Sequence, residues 1–71
     1  IHIISEFNKV QVISDKFNLR MVGIFNVNGQ LVQHSTVQQS NFRSKELMQG
    51  VYIVKAVATN LKVKTERVLI K

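Results

Sequence analysis

The segment Val22-Gly23-Ile24-Phe25-Asn26-Val27-Asn28-Gly29-Gln30-Leu31-Val32 holds the clearest chain reversal in the protein. Two apolar-rich runs flank Asn28-Gly29, which is the pattern of a β-hairpin. Two registers fit it. A two-residue type I′ turn pairs Val27 with Gln30 and Phe25 with Val32. A type I turn over Asn26–Gly29, closed by a glycine bulge, pairs Asn26 with Gln30, Ile24 with Val32 and Val22 with His34. The bulged form is favoured because it gathers Val22, Ile24 and Val32 on one face, and a slip of one residue would turn them all outward. It also puts Asn26 in the first turn position, where its side chain can bond the backbone ahead. Gly29 then takes the left-handed conformation that a Cβ disfavours.

The same period of two runs through the rest of the chain. Val10 and Val12 alternate with Lys9 and Gln11, and Tyr52, Val54, Ala56 and Ala58 share a face. Val68 and Ile70 lie opposite Arg67, Leu69 and Lys71. This is the half-buried strand pattern, and β-branched residues dominate it. Strands are predicted at 2–5, 8–14, 19–26, 30–36, 41–45, 50–58 and 62–70. Thr59-Asn60 is a second asparagine-based reversal, and Gly50 launches the strand that begins at Val51. Only Ser40–Met48 could be helical, and it is too short to stand unsupported. Seven short antiparallel strands with frequent turns predict an all-β sandwich.

The chain has 71 residues, no proline and no cysteine, and ten Lys/Arg against four Asp/Glu give it a net charge of +6. That length allows a single domain, residues 1–71. Such a chain buries only about 60% of its unfolded surface, so most apolar residues must serve one core. With 45% apolar residues it has enough of them to fold. Lacking cysteine, it has no disulfide, thiolate zinc site or cysteine nucleophile. No apolar run approaches the ~18 residues of a membrane helix. Ile1–Ile4 is too short for a signal-peptide core, so an export signal would lie in sequence outside this one or in the domain itself.

Catalysis finds little support. Glu6, Asp15, Glu46 and Glu66 offer no pair at strand spacing i, i+2, and the solvated role is favoured for each. His2 and His34 have no partner at metal-ligand spacing, and there is no phosphate loop or nucleophile elbow. No cofactor is expected. The basic residues are scattered, with a loose concentration at Lys62, Lys64, Arg67 and Lys71, and no basic-aromatic motif joins them. Nucleic-acid binding is therefore disfavoured, and edge protection is the plainer role for cations on a terminal strand. Strand 50–58 is apolar on both faces. Its second set, Val51, Ile53 and Val57, forms either a patch that a partner covers or one shielded by the stems of Lys64 and Arg67.

Three blocks carry a family resemblance. Val22–Val32 is similar to "V-x-V-Y-D-x-x-G-x-x-V". Leu47-Met48-Gln49-Gly50-Val51-Tyr52-Ile53-Val54-Lys55 is similar to "L-x-x-G-V-Y-[IVF]-V-[KR]". Lys64-Thr65-Glu66-Arg67-Val68-Leu69-Ile70-Lys71 is similar to a terminal "K-x-x-[KR]-V-[LIV]-[VI]-[KR]". In that order they resemble the C-terminal sorting domain of the type IX (Por) secretion system, type A. The resemblance covers about residues 20–71 well and the first nineteen only as a generic strand pair. Many members open with a Pro-Asn-Pro-like segment, which this chain lacks.

The resemblance implies an immunoglobulin-like antiparallel sandwich and a non-catalytic role at the end of an exported cargo protein. Cargo of this kind crosses the inner membrane by an N-terminal signal peptide and is addressed to the outer-membrane translocon by its last domain. A sortase-like protease commonly removes that domain, and the cargo is in some cases joined to anionic lipopolysaccharide on the surface. By position, Asn26, Gly29 and Gly50 would be turn residues and Tyr52 and Val54 core residues. Lys64–Lys71 would be the strand on which export depends. Because a receptor can read a sheet edge by adding a strand, Arg67 and Lys71 are expected to be cationic marks on it, Leu69 an apolar contact and Val68 and Ile70 its remaining members, with Val51, Ile53 and Val57 widening the surface. Lys71 is expected to be a natural terminus, and weak self-association of the sheet is left open. Two rivals differ in what they require. An adhesin or carbohydrate-binding domain should expose Phe7, Phe17 and Phe42 on one face, and a spacer domain should continue into another.

Overall fold

In the computed structural model, which describes residues 1–71, the chain forms seven strands and no helix. They are β1 (His2–Ser5), β2 (Val10–Ile13), β3 (Leu19–Asn26), β4 (Leu31–Thr36), β5 (Asn41–Arg43), β6 (Gly50–Ala58) and β7 (Val63–Ile70). Each lies within two residues of its expected bounds. Ser40–Met48 divides into β5 and an irregular connection. One sheet has the order β1-β2-β5 and the other β4-β3-β6-β7, and every pairing is antiparallel. Lettered as in an immunoglobulin constant domain, the sheets read A-B-E and C′-C-F-G, the fourth strand having joined the sheet of the third.

Alternation explains the core. Ile3, Val10 and Val12 from the smaller sheet meet Val22, Ile24, Tyr52, Val54, Ala56, Val68 and Ile70 from the larger. Val37 and Leu47 plug the core from connections, tied down by Val37 N–H to the Arg20 carbonyl and Leu47 N–H to the Asn8 carbonyl. Ser44 is a buried polar exception. Its hydroxyl accepts from Val10 N–H and donates to the Lys45 carbonyl, both at 2.8 Å, and its own N–H reaches the Val10 carbonyl. It therefore fastens the β5–β6 connection to the start of β2.

The β3–β4 turn has the bulged form. Gly29 N–H donates to the Asn26 carbonyl, Asn26 N–H donates to the Gln30 carbonyl, and Gly29 has φ of 82°. Asn26 Oδ1 accepts from the N–H groups of Asn28 and Gln30, at 3.0 Å each. Further along, the expected register is corrected by a second bulge. Phe25 pairs with Leu31, but Ile24 pairs with Gln33 and Val22 with Ser35, not with Val32 and His34. Val32 is the additional residue, half-buried at the core margin. β4 is an edge strand, where such insertions are tolerated, and this one brings Gln33 inward to accept from Lys45 N–H at 3.0 Å.

The β6–β7 turn repeats the first turn's bonding. Leu61 N–H donates to the Ala58 carbonyl and Ala58 N–H to the Lys62 carbonyl, so Leu61 stands where Gly29 stands in the other hairpin. Its φ is 68°, a left-handed conformation that costs a residue with a Cβ about 1–2 kcal/mol. Leu61 is also exposed, so its side chain offsets little of that. Leu61→Gly is expected to stabilise the protein by about 0.5–1 kcal/mol after the extra unfolded-state entropy of glycine is subtracted. Denaturant melts check this, and a lowered midpoint would refute it. Ser44→Ala, by contrast, is expected to cost about 1–3 kcal/mol, because it strands the Val10 N–H in the interior.

His2 and Asp15 join the start of β1 to the β2–β3 connection, with Nε2 and Oδ2 2.9 Å apart. The hydrogen bond from the His2 ring, and then its charge, hold the Asp15 carboxyl below its ordinary value of 3.8. A carboxylate lowered in the folded state contributes stability that is complete above the unfolded value and lost as pH falls through the lowered one. His2→Ala should therefore move the Asp15 titration midpoint upward when the carboxyl is followed by NMR. An unmoved midpoint would show that the pair does not form in solution.

Candidate recognition surface

β7 ends the larger sheet and has one hydrogen-bonded neighbour, β6. The pairing runs from Val57↔Val63 to Gly50↔Ile70 without a break, so side chains alternate cleanly between the two faces. Val68 and Ile70 point inward and are buried. Arg67, Leu69 and Lys71 are exposed on the other side, with Val63 and Thr65 preceding them. Of the six residues singled out on this strand, two are therefore core, and they contribute to an outer surface only through their backbone.

Lys64 belongs to the inward set. It pairs with Ala56, and its Nζ donates to the carbonyl of Ile1, just before β1 of the opposite sheet, at 3.1 Å. The expectation that its stem shields the outward apolar patch is thus corrected, because even-numbered residues of β7 face the other way. Arg67 is correctly placed for that role, opposite Ile53.

The outward patch is larger than strand 50–58 alone suggests. Val51, Ile53 and Val57 are half-buried on the outer face of β6. Register sets Leu69 beside Val51, and it aligns Leu31, Phe25, Ile53 and Arg67 across all four strands. Met21, Val57 and Val63 form a second apolar row. Between the rows lie His34, Gly23, Lys55 and Thr65. The Phe25 ring folds over Gly23, where a Cβ would stand 3.4 Å from its Cζ, so glycine here gives the ring a floor. Periodicity could have found Met21, Phe25 and Leu31, since each alternates with a core residue. The charged groups in these rows are Lys55 and Arg67, and none of the rows holds a carboxylate.

The turn residues stand behind this surface. Asn26 and Gly29 shape the β3–β4 hairpin, and Gly50, with φ of 155°, begins β6. Tyr52 is buried and donates its hydroxyl to the Met48 carbonyl at 2.7 Å, which fixes the approach to β6.

No group of three or more His, Asp or Glu side chains comes together anywhere in the molecule. Glu6 Oε1 lies 3.4 Å from Arg43 Nε, an ion pair too loose to count as a good hydrogen bond. A cavity of about 240 Å³ opens at one end of the sandwich, lined by Ile1, Asp15, Lys16, Phe17 and Lys62 among others. The aromatic face that a carbohydrate-binding module needs is not assembled. Phe7 and Phe17 are exposed in connections at opposite ends, and Phe42 packs against the core.

Comparison with protein families matches residues 5–71 to the family described as the secretion system C-terminal sorting domain. The match reaches past the hairpin blocks to the end of β1, so β2 to β7 all lie within it. A search of curated proteins found no match. Matched over nearly its whole length, the chain belongs to the family of C-terminal sorting domains, the signals of type IX secretion that engage its machinery and direct cargo to the cell surface or the medium.

Proposed function

We propose that the second half of β7 and the residue after it, Arg67–Lys71, form the edge that the type IX translocon reads, with Leu69, Val51 and Ile53 as its adjoining apolar contacts. The observation that carries this reading is the division of β7 into two halves. Lys64 and Glu66 point inward in the first half, and inward charges on an edge strand discourage the addition of another strand. The second half has Val68 and Ile70 inward, so its free backbone groups form a template with no inward charge against it. A receptor strand added there gains main-chain hydrogen bonds for affinity, while Arg67, Leu69 and Lys71 supply choice. Val57 and Lys55 extend the same outer face, and salt would weaken the cationic part of the contact.

In this reading the domain is non-catalytic and needs no cofactor. It is the terminal domain of a larger exported protein whose signal peptide opens the route across the inner membrane. The route continues through the periplasm to the outer-membrane translocon and ends at the cell surface. There a sortase-like protease removes the domain, and the cargo is attached or released. Neither nucleic acid nor a transmembrane segment of the domain takes part.

The test is a reporter with a signal peptide fused ahead of this chain in a bacterium that has type IX secretion. Leu69→Glu with Lys71→Glu reverses the outward set and leaves Val68 and Ile70 in place. Surface display is expected to fall at least about tenfold, as an edge contact worth more than 1.4 kcal/mol is lost. The melting temperature should stay within a few degrees. Display at the wild-type level would overturn the assignment, and deletion of Arg67–Lys71 is the harsher companion because it also removes core.

A further inference from the structure

One end of the sandwich carries an exposed apolar side chain on each of its three connections. The β1–β2 turn presents Phe7 at 81% exposure, the β3–β4 turn Val27 at 67% and the β5–β6 connection Met48 at 83%. Hydrogen bonds and register hold the three connections together. Leu47 N–H donates to the Asn8 carbonyl at 2.7 Å, and Asn26 pairs with Tyr52, whose hydroxyl holds the Met48 carbonyl. The Gly50↔Ile70 pair brings Lys71 to the same end.

Folding does not account for these side chains. Val27 occupies a turn position that most residues can fill. Met48 contributes its carbonyl, and Phe7 is almost wholly in solvent. The charges around them are biased. Lys9, Lys45 and Lys71 have no side-chain carboxylate partner, whereas Glu6 lies 3.4 Å from Arg43 and Glu46 is the one other side-chain carboxylate in these segments. The opposite end differs. It too carries exposed lysines, Lys16 and Lys62, so the difference lies in the apolar tips: it exposes Leu61 and part of Phe17, but its third connection buries Val37 and shows Gln38, Gln39 and Ser40.

Shape decides the kind of partner. A protein interface concentrates its energy in one packed central patch. Here three single side chains stand on separate tips with lysines beside them. That arrangement fits a fluid surface, apolar beneath and anionic above, into which hydrophobes dip while lysine stems reach back to headgroups. We propose that this end of the domain rests on an anionic phospholipid bilayer, with Phe7, Val27 and Met48 entering the acyl boundary and Lys9, Lys45 and Lys71 meeting the headgroups. This surface shares only Lys71 with the β7 edge, and its test requires no translocon.

The chain has no tryptophan, so a single one reports its own surroundings. Phe7→Trp and Phe17→Trp mark the two ends, and each is mixed with phosphatidylcholine vesicles with and without phosphatidylglycerol. The expected result is a blue shift for Phe7→Trp with the phosphatidylglycerol vesicles and none for Phe17→Trp. In co-sedimentation, Phe7→Ser with Val27→Ser and Met48→Ser should lower partitioning about tenfold with no loss of melting temperature. Raised salt should weaken what binding remains. Failure of the unaltered chain to sediment with phosphatidylglycerol vesicles would overturn the proposal. So would equal binding by the triple variant, or a shift confined to Phe17→Trp. Lost export by the triple variant without any vesicle binding would assign this end to a protein contact instead.

Discussion

The burial of Val68 and Ile70 holds the last strand in place, and the outer surface depends on it. β7 has a single ladder, to β6, so these two side chains, with the Lys64 hydrogen bond to the Ile1 carbonyl, attach it to the rest of the sandwich. Fully burying such a side chain contributes about 1.5–3 kcal/mol. In a domain of 71 residues with no disulfide, that is a large share of a net stability of about 5–15 kcal/mol. The same alternation that sends these two inward sends Arg67, Leu69 and Lys71 outward. One segment thus closes the core and displays the residues proposed as recognition marks, and deletion cannot remove the second without disturbing the first.

The four sheet edges are not treated alike. β1 and β5 are short, at four and three residues, and Lys64 reaches over to the Ile1 carbonyl just before β1. β4 is twisted out of register by the bulge at Val32. The first half of β7 carries inward Lys64 and Glu66. Each of these is a device that discourages strand addition. The second half of β7 has only its outward cations, Arg67 and Lys71, and no inward charge, bulge or cover. A lightly defended stretch beside better-defended edges is what the proposed recognition role requires.

Strand positions were legible in the sequence because half-buried strands alternate, and β-branched residues mark them clearly. The turn at Asn26–Gly29 was legible too, since asparagine and glycine each have a local reason to be there. The bulge at Val32 was not. It depends on Gln33 meeting the Lys45 N–H across the sandwich, a contact between segments that have no local signal for one another. Leu61 was equally hidden, because a leucine gives no notice of a left-handed conformation. Within the outer surface, Val51, Ile53 and Val57 stood out on a two-faced strand. Met21, Phe25 and Leu31 were overlooked because their neighbours Val22, Ile24 and Val32 drew attention to the core. The parity of Lys64 was available from simple counting, and its grouping with Arg67 followed charge and proximity along the strand, not alternation.

The open half of β7 and the three apolar tips lie at the same end of a molecule that measures 31 × 22 × 16 Å. Their directions differ, which bears on how both could be used together. A strand added to β7 approaches from the side of the sheet, whereas the tips of the β1–β2, β3–β4 and β5–β6 connections project along the strand axes. Contact at one does not cover the other. Lys71 stands at the corner between them, so an anionic surface below and an acidic receptor beside it would compete for the same ammonium group. Separate apolar contacts with one shared cation make the two engagements compatible in shape and opposed in charge. Ionic strength would then shift the balance between them by changing that shared term most.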